Sequence, residues 1–177
     1  MPYQYRREPL SPDQATRLAN ACTSSDERLV VWTLLDTGLR LRELSGLTRD
    51  MMDWQGRRVR VHGKGGPYGS KKSKIRVIPL TDRIRPLLEH YFALNDHFAI
   101  HPKTIQRIVA RVANRAGIST PKITPHVLRH TFAVTTAQRG ISLPALQRLL
   151  GHDHLETTSI YLNLSPEHVL DEFHAKW

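Results

Sequence analysis

The 177-residue chain is 40% apolar and 7% aromatic, enough for one domain with a real core and not the composition of a disordered polymer. Lys and Arg number 26 against 16 Asp and Glu, and the resulting formal charge of +10 favours a polyanionic partner, DNA or RNA alike. No apolar run reaches the ~18 residues that span a bilayer, no apolar stretch follows Arg6 and Arg7 as in a secretory signal, and the lone Cys22 leaves no internal disulfide, so a reducing, cytoplasmic address is expected.

Residues 1–10 read as an extended lead-in. Ser11 caps a helix with Pro12 in its first turn, and Ala15, Leu18, Ala19 and Cys22 recur at helical spacing. A second helix is predicted from about Asp26 to Gly38; it is apolar on nearly all sides (Leu29, Val30, Val31, Trp32, Leu34, Leu35), which marks it as the central buried helix. A short helix carries Arg40 to Leu47. The period then drops to two, and 51–54, 58–62 and 74–80 read as three short strands, with a turn at Gln55-Gly56. Between the last two lies a hairpin loop from Gly63 to Ser73, rich in glycine and lysine. Helices are predicted from Thr81-Asp82 through Tyr91, from about Pro102 to Ala116, from Pro125 to Arg139 and around Leu143 to Leu150. Two more are expected, over Glu156 to Leu162 and after the cap at Ser165. The expected fold is mainly α with a small three-stranded antiparallel sheet, an α+β chain without repeats or an interior linker.

Six positions carry candidate chemistry: Arg40, Lys64, His126, Arg129, His152 and Tyr161. Singly, each has a plain structural reading. Arg40 serves as a helix-surface charge, Lys64 as a solvated loop lysine, and His126 with Arg129 as an ordinary i, i+3 pair. His152 would interact with a helix C-terminus, and Tyr161 would sit half-buried at the edge of the core.

Together their contexts say more. Thr37-Gly38-Leu39-Arg40-Leu41-Arg42-Glu43-Leu44-Ser45-Gly46-Leu47 resembles the first arginine box of the tyrosine recombinases, the phage integrases and Xer-type enzymes. Thr124-Pro125-His126-Val127-Leu128-Arg129-His130-Thr131 resembles their His-x-x-Arg box. Leu149-Leu150-Gly151-His152, with Tyr161 nine residues on, resembles the third box and the nucleophile. Gly63-Lys64-Gly65, leading to Arg76-Val77-Ile78-Pro79-Leu80, resembles the lysine-bearing β-hairpin. The four motifs stand in the family's order, and the likeness runs from about Leu10 onward.

The resemblance implies the tyrosine recombinase catalytic-domain fold and a site-specific recombinase or integrase that breaks and rejoins DNA. Tyr161 would attack a phosphodiester and form a 3′-phosphotyrosyl link; Arg40, Arg129 and His152 would stabilise the pentavalent state; Lys64 would protonate the 5′-oxygen; and His126 would exchange a proton with the tyrosine. The residue types suit the work. A phenol with a pKa near ~10 needs help to lose its proton. Guanidinium stays charged and holds two oxygens at once, where negative charge builds during in-line attack. Glu43, three residues after Arg40, would support the first box or form an ordinary helix salt bridge. Lys71, Lys72, Lys74 and Arg76 are expected to contact DNA, and the first three are also candidates for the acid if Lys64 is not. Neither metal, ATP, small-molecule substrate nor membrane is implied. The implied partners are duplex DNA, in the nucleoid, and further copies of the chain as a tetramer on paired sites, with residues 163–177 forming a tail helix that docks on a neighbour or folds back.

Larger family members carry a separate N-terminal helical domain that clamps the duplex. Nothing in 1–177 corresponds to it, so a single catalytic domain is expected, whether fragment or natural short form. Three other readings compete. A zinc enzyme could use His126 and His130 at i, i+4 with His152 and His154, although no His-Glu-x-x-His or cysteine pair is present. A degenerate, catalytically weak relative could bind DNA without cutting it. A type IB topoisomerase would use similar chemistry to relax DNA.

Overall fold

Residues 8–62, 75–119 and 122–151 are described by the computed structural model of the chain. The hairpin lysines Lys64, Lys71, Lys72 and Lys74, the residues His152 and Tyr161, and the two helices expected beyond Leu155 lie outside them.

Seven α-helices and three short strands make up the described part: α1 (Pro12–Asn20), α2 (Ser25–Thr37), α3 (Leu41–Ser45), β1 (Met52–Asp53), β2 (Arg58–His62), β3 (Ile75–Pro79), α4 (Arg85–Leu94), α5 (Pro102–Arg115), α6 (Pro125–Gln138) and α7 (Leu143–Leu150). Ser11 closes a reciprocal capping box with Gln14, and Pro12 occupies the first turn of α1, as the sequence predicts. The apolar circumference of α2 is used on all sides, because α1, α4, α5 and α6 pack around it. Leu29, Val30, Val31 and Leu34 are all buried. Helix α5, by contrast, buries only the face of Ile105, Ile108, Val109 and Val112.

The strands form an antiparallel sheet in the order β1-β2-β3, with Val61 opposite Arg76 and Val59 opposite Ile78. Val59, Val61 and Ile78 point into the core, whereas Arg58, Arg60, His62, Ile75 and Val77 face outward. A second, smaller cluster of Ala133, Leu146 and Leu150 joins α6 to α7.

Several boundaries differ from expectation by a few residues, those of β1 and the start of α4 for identifiable reasons. The first strand is shorter, because a 3-10 turn over Arg49–Met51 precedes it. Helix α4 begins at Arg85 rather than just after Asp82, because Thr81 and Arg83 are turned toward Asp36 at the end of α2. The Thr81 hydroxyl donates to Asp36 at 2.6 Å and the Arg83 guanidinium pairs with the same carboxylate. A tertiary contact thus overrides the local start signal.

The far end of α2 is held by a buried carboxylate. Glu27, 3% exposed, accepts from Arg115 at 2.7 Å and from the Thr23 backbone N–H at 2.8 Å, with Arg111 at 3.2 Å. The Arg115 hydrogen bond outweighs the cost of burial and the Thr23 donors add to it, holding the carboxyl down at about 2. A lowered folded pKa stabilises the fold above the unfolded value near ~4.5 and ceases to do so as pH falls through about 2. Glu27→Gln is therefore expected to cost on the order of 2 kcal/mol at pH 7, after allowing for water around the two arginines. In urea melts the difference from wild type should shrink between pH 4.5 and 2; a pH-independent difference would contradict the assignment.

Candidate active site

Gly38 sets the geometry. It ends α2 in the left-handed conformation (φ 60°), and a Cβ there would overlap the Phe132 ring of α6. The turn returns Leu39 to the core and leaves Arg40 as the first residue before α3. The Gly38 carbonyl, unpaired within its own helix end, is taken by α6: Arg129 Nη1 donates to it at 2.5 Å. Arg129 Nη2 donates to the Leu150 carbonyl at 2.6 Å. This arginine, 5% exposed, thereby joins the C-terminal ends of α2 and α7, where the helix dipoles favour a cation.

Two further guanidiniums meet the same end of α7. Arg40 Nη2 donates to the Gly151 carbonyl at 3.3 Å, and Arg76 Nε donates to the Leu149 carbonyl at 2.8 Å. Three consecutive carbonyls, at Leu149, Leu150 and Gly151, thus each receive a different arginine. Gly151 makes the turn possible: it is left-handed (φ 64°), and a Cβ on it would stand 3.0 Å from the Arg76 side chain. The next residue in the chain is His152.

Glu43 organises two of these cations. Its Oε2 accepts from the Arg40 backbone N–H at 2.7 Å, and its Oε1 accepts from Arg40 Nη1 at 2.9 Å. Arg76 Nη1 and Nη2 meet the two oxygens at 2.7 Å each, a bidentate pair. Burial alone would push this carboxyl up; Arg76 first, and then Arg40, overcome that and hold it down at about 2. Glu43 is therefore more than the i, i+3 partner of Arg40, since it also fixes β3.

Arg76 departs from its expected place. The sequence puts it among the DNA-contacting residues of the basic hairpin, but it is 8% exposed and its guanidinium is spent on Glu43 and Leu149. The signal was in the strand's alternation: Arg76 and Ile78 stand two residues apart, so burying Ile78 turns Arg76 inward as well.

His126 lies on the exposed side of the first turn of α6, one helical turn before Arg129. His130 on the same helix is buried, and burial together with the charge of His126 pushes its imidazole down to about 4, so it is neutral at pH 7. Cys22 is buried, and its thiol is pushed up to about 11, mainly by desolvation, which leaves almost no thiolate to act as a nucleophile. Among the described residues no three His, Cys, Asp or Glu side chains gather to hold a metal. Of the predicted site residues, then, Arg40, Glu43 and Arg129 stand together, with His126 beside them on α6.

The profile of the phage integrase family matches residues 8–168. The tyrosine recombinase XerA of Saccharolobus solfataricus is 33% identical over 164 residues, covering 90% of this chain and 53% of that protein. The chain spans about half the length of the curated relatives it matches. The crystal structure of a XerA recombinase superposes with a TM-score of 0.78 at 29% identity, over 95% of this chain and 64% of that one. A pre-cleavage complex of the XerH site-specific recombinase bound to its difH substrate has the same fold, with a TM-score of 0.76 at 23% identity, over 93% of this chain and 53% of that one.

Proposed function

Because the chain belongs to the phage integrase family, we propose that it is a single catalytic domain of a site-specific DNA recombinase or integrase acting through Tyr161. The observation that carries the reading is the convergence of Arg40 and Arg129, from separate segments, on the carbonyls of Gly151 and Leu150. Two fixed cations at one spot suit a phosphodiester on which charge grows during the reaction. The substrate is duplex DNA, in keeping with the formal charge of +10.

In this reading the Tyr161 oxygen attacks phosphorus in line and gives its proton to His126. The bond from phosphorus to the 5′-oxygen breaks, and Lys64 supplies the proton that the leaving oxygen needs. Arg40, Arg129 and His152 carry the charge on the non-bridging oxygens. A 5′-hydroxyl from another strand then attacks the phosphotyrosine and the steps run backward. One phosphodiester is exchanged for another of similar energy, so neither ATP nor a metal is required. Lys71, Lys72 and Lys74 contact the backbone near the cleavage point. The enzyme works in the cytoplasm, at the nucleoid, as a tetramer on paired sites. Among the described residues no helix is long and apolar enough to cross a membrane.

The test is covalent capture. A pool of nicked duplexes with a randomised tract, in which cleavage releases a short fragment and prevents rejoining, is mixed with the protein and denatured. A labelled band at the protein's mass plus DNA is expected, enriched in particular sequences and absent for Tyr161→Phe. Duplex binding with no such band would favour a non-cutting DNA-binding module. Relaxation of supercoiled DNA without exchange between paired duplexes would favour a topoisomerase.

A further inference from the structure

We propose that Arg76 is a positioning residue for phosphoryl transfer, which neutralises Glu43 so that Arg40 keeps its charge for the DNA phosphate. The proposal rests on the recombinase reading of the site and goes beyond it, since Arg76 touches no reacting atom.

Charge sets the requirement. Glu43 is needed to seat Arg40, through both its backbone N–H and its guanidinium. A carboxylate that holds a cation also cancels it, and a neutral pair does little for a phosphate. The carbonyl ends of α2 and α7 add further negative potential at the same place. Arg76 offsets this. Arg40, Arg76 and Glu43 together carry one net positive charge, whereas Arg40 with Glu43 alone carries none.

Geometry assigns the two arginines different parts. Arg76 is buried and commits Nη1 and Nη2 to the Glu43 carboxylate and Nε to the Leu149 carbonyl, the fixed fork that guanidinium provides and ammonium does not. Arg40 is more open, at 39% side-chain exposure. It gives Glu43 one hydrogen bond from its side chain and Gly151 a longer one, and its Nε–H makes no hydrogen bond among the described residues. The inner arginine takes up the carboxylate and leaves the outer one available to an anion. Arg76 also stands one register pair from His62–Ile75, the outermost described pair of the β2–β3 hairpin. It thereby ties the base of that hairpin to the end of α7.

The decisive experiment compares Arg76→Ala, Arg76→Lys and the double variant Glu43→Gln with Arg76→Ala, using duplexes captured from the randomised pool. Arg76→Ala is expected to slow single-turnover adduct formation about a hundredfold while duplex affinity changes by less than about threefold. Arg76→Lys should recover part of the loss. The double variant should be faster than Arg76→Ala by about tenfold, because removing the uncompensated carboxylate returns the positive charge to Arg40. A double variant as slow as Arg76→Ala or slower overturns the proposal, as does a rescue that only follows recovered folding stability, since a purely structural pair would give that too. Thermal melts keep misfolding apart from positioning, and if Arg76→Ala does not fold, Arg76→Lys and the double variant still decide.

A readout without catalysis separates this inference from the recombinase reading. In nitrogen-15 spectra of arginine side chains, the Arg40 Nε–H resonance should move on titration with orthovanadate. Affinity should fall about tenfold in Arg76→Ala and return in the double variant. A resonance that never moves, or moves alike in all three proteins, overturns the proposal. If no duplex is cleaved by wild type but the titration behaves as expected, the recombinase reading fails and the electrostatic role of Arg76 stands.

Discussion

Arg129→Ala is expected to slow covalent adduct formation on the order of a thousandfold, at the upper end of what one preorganised donor contributes. Its position accounts for the size. The guanidinium is buried, anchored on one side by the Gly38 carbonyl and on the other by the Leu150 carbonyl, so its orientation is set before any substrate arrives. A donor fixed in this way reorganises little as charge develops on a phosphate oxygen. Arg129→Lys should recover little, because an ammonium cannot span two carbonyls from different helix ends and still face a ligand. Both variants also leave helix-end carbonyls short of a donor, at roughly 1–3 kcal/mol for each buried group. Rates should therefore be compared at a temperature where urea melts show each variant folded. A single-turnover rate for Arg129→Ala within tenfold of wild type would remove Arg129 from the reaction.

Glu43→Ala should be the most destabilising change in the described part of the site, by about 3–5 kcal/mol. It leaves Arg76, 7% exposed at its side chain, with a buried charge and only the Leu149 carbonyl for company, and it frees the start of α3. For a chain of this length such a loss lowers the melting temperature by about 10 °C or more. The pH dependence gives an independent check. The folded-state pKa of Glu43 is held at about 2, below the unfolded value near ~4.5, so its contribution is complete above that value. It disappears as pH falls from 4.5 to 2, and the gap between wild type and variant should close over that interval. A loss under about 1 kcal/mol at pH 7 would mean that the Arg76–Glu43 pair is not desolvated as described.

The two arginines differ in how far the sequence could reveal them. Arg129 lies in a motif that follows the Arg40 motif along the chain, so it could be singled out as a candidate from the letters. That it would be the strut between two helix ends could not, because Gly38 and Leu150 are 91 and 21 residues away from it. Glu43 was visible as the i, i+3 partner of Arg40, since that pairing is local to one helical turn. Its second partner, Arg76, lies 33 residues away and carried no local sign of pairing. A basic residue beside a lysine-rich loop invites a surface assignment, and only the inward register of Ile78 argued otherwise.

What the sequence determined by itself was what short-range physics controls: helix starts at Ser11 and Thr124, the left-handed stops at Gly38 and Gly151, the alternation of β2, and the identity of the chemical groups. Each depends on a few neighbouring residues and their backbone preferences. Tertiary structure alone decided where α4 begins and which cations are buried. It also decided that three arginines from α3's edge, β3 and α6 would share the end of α7. Those outcomes depend on carbonyls and carboxylates that come within hydrogen-bonding reach only when distant segments pack, and the energy of a buried charge is set by the partners it meets there.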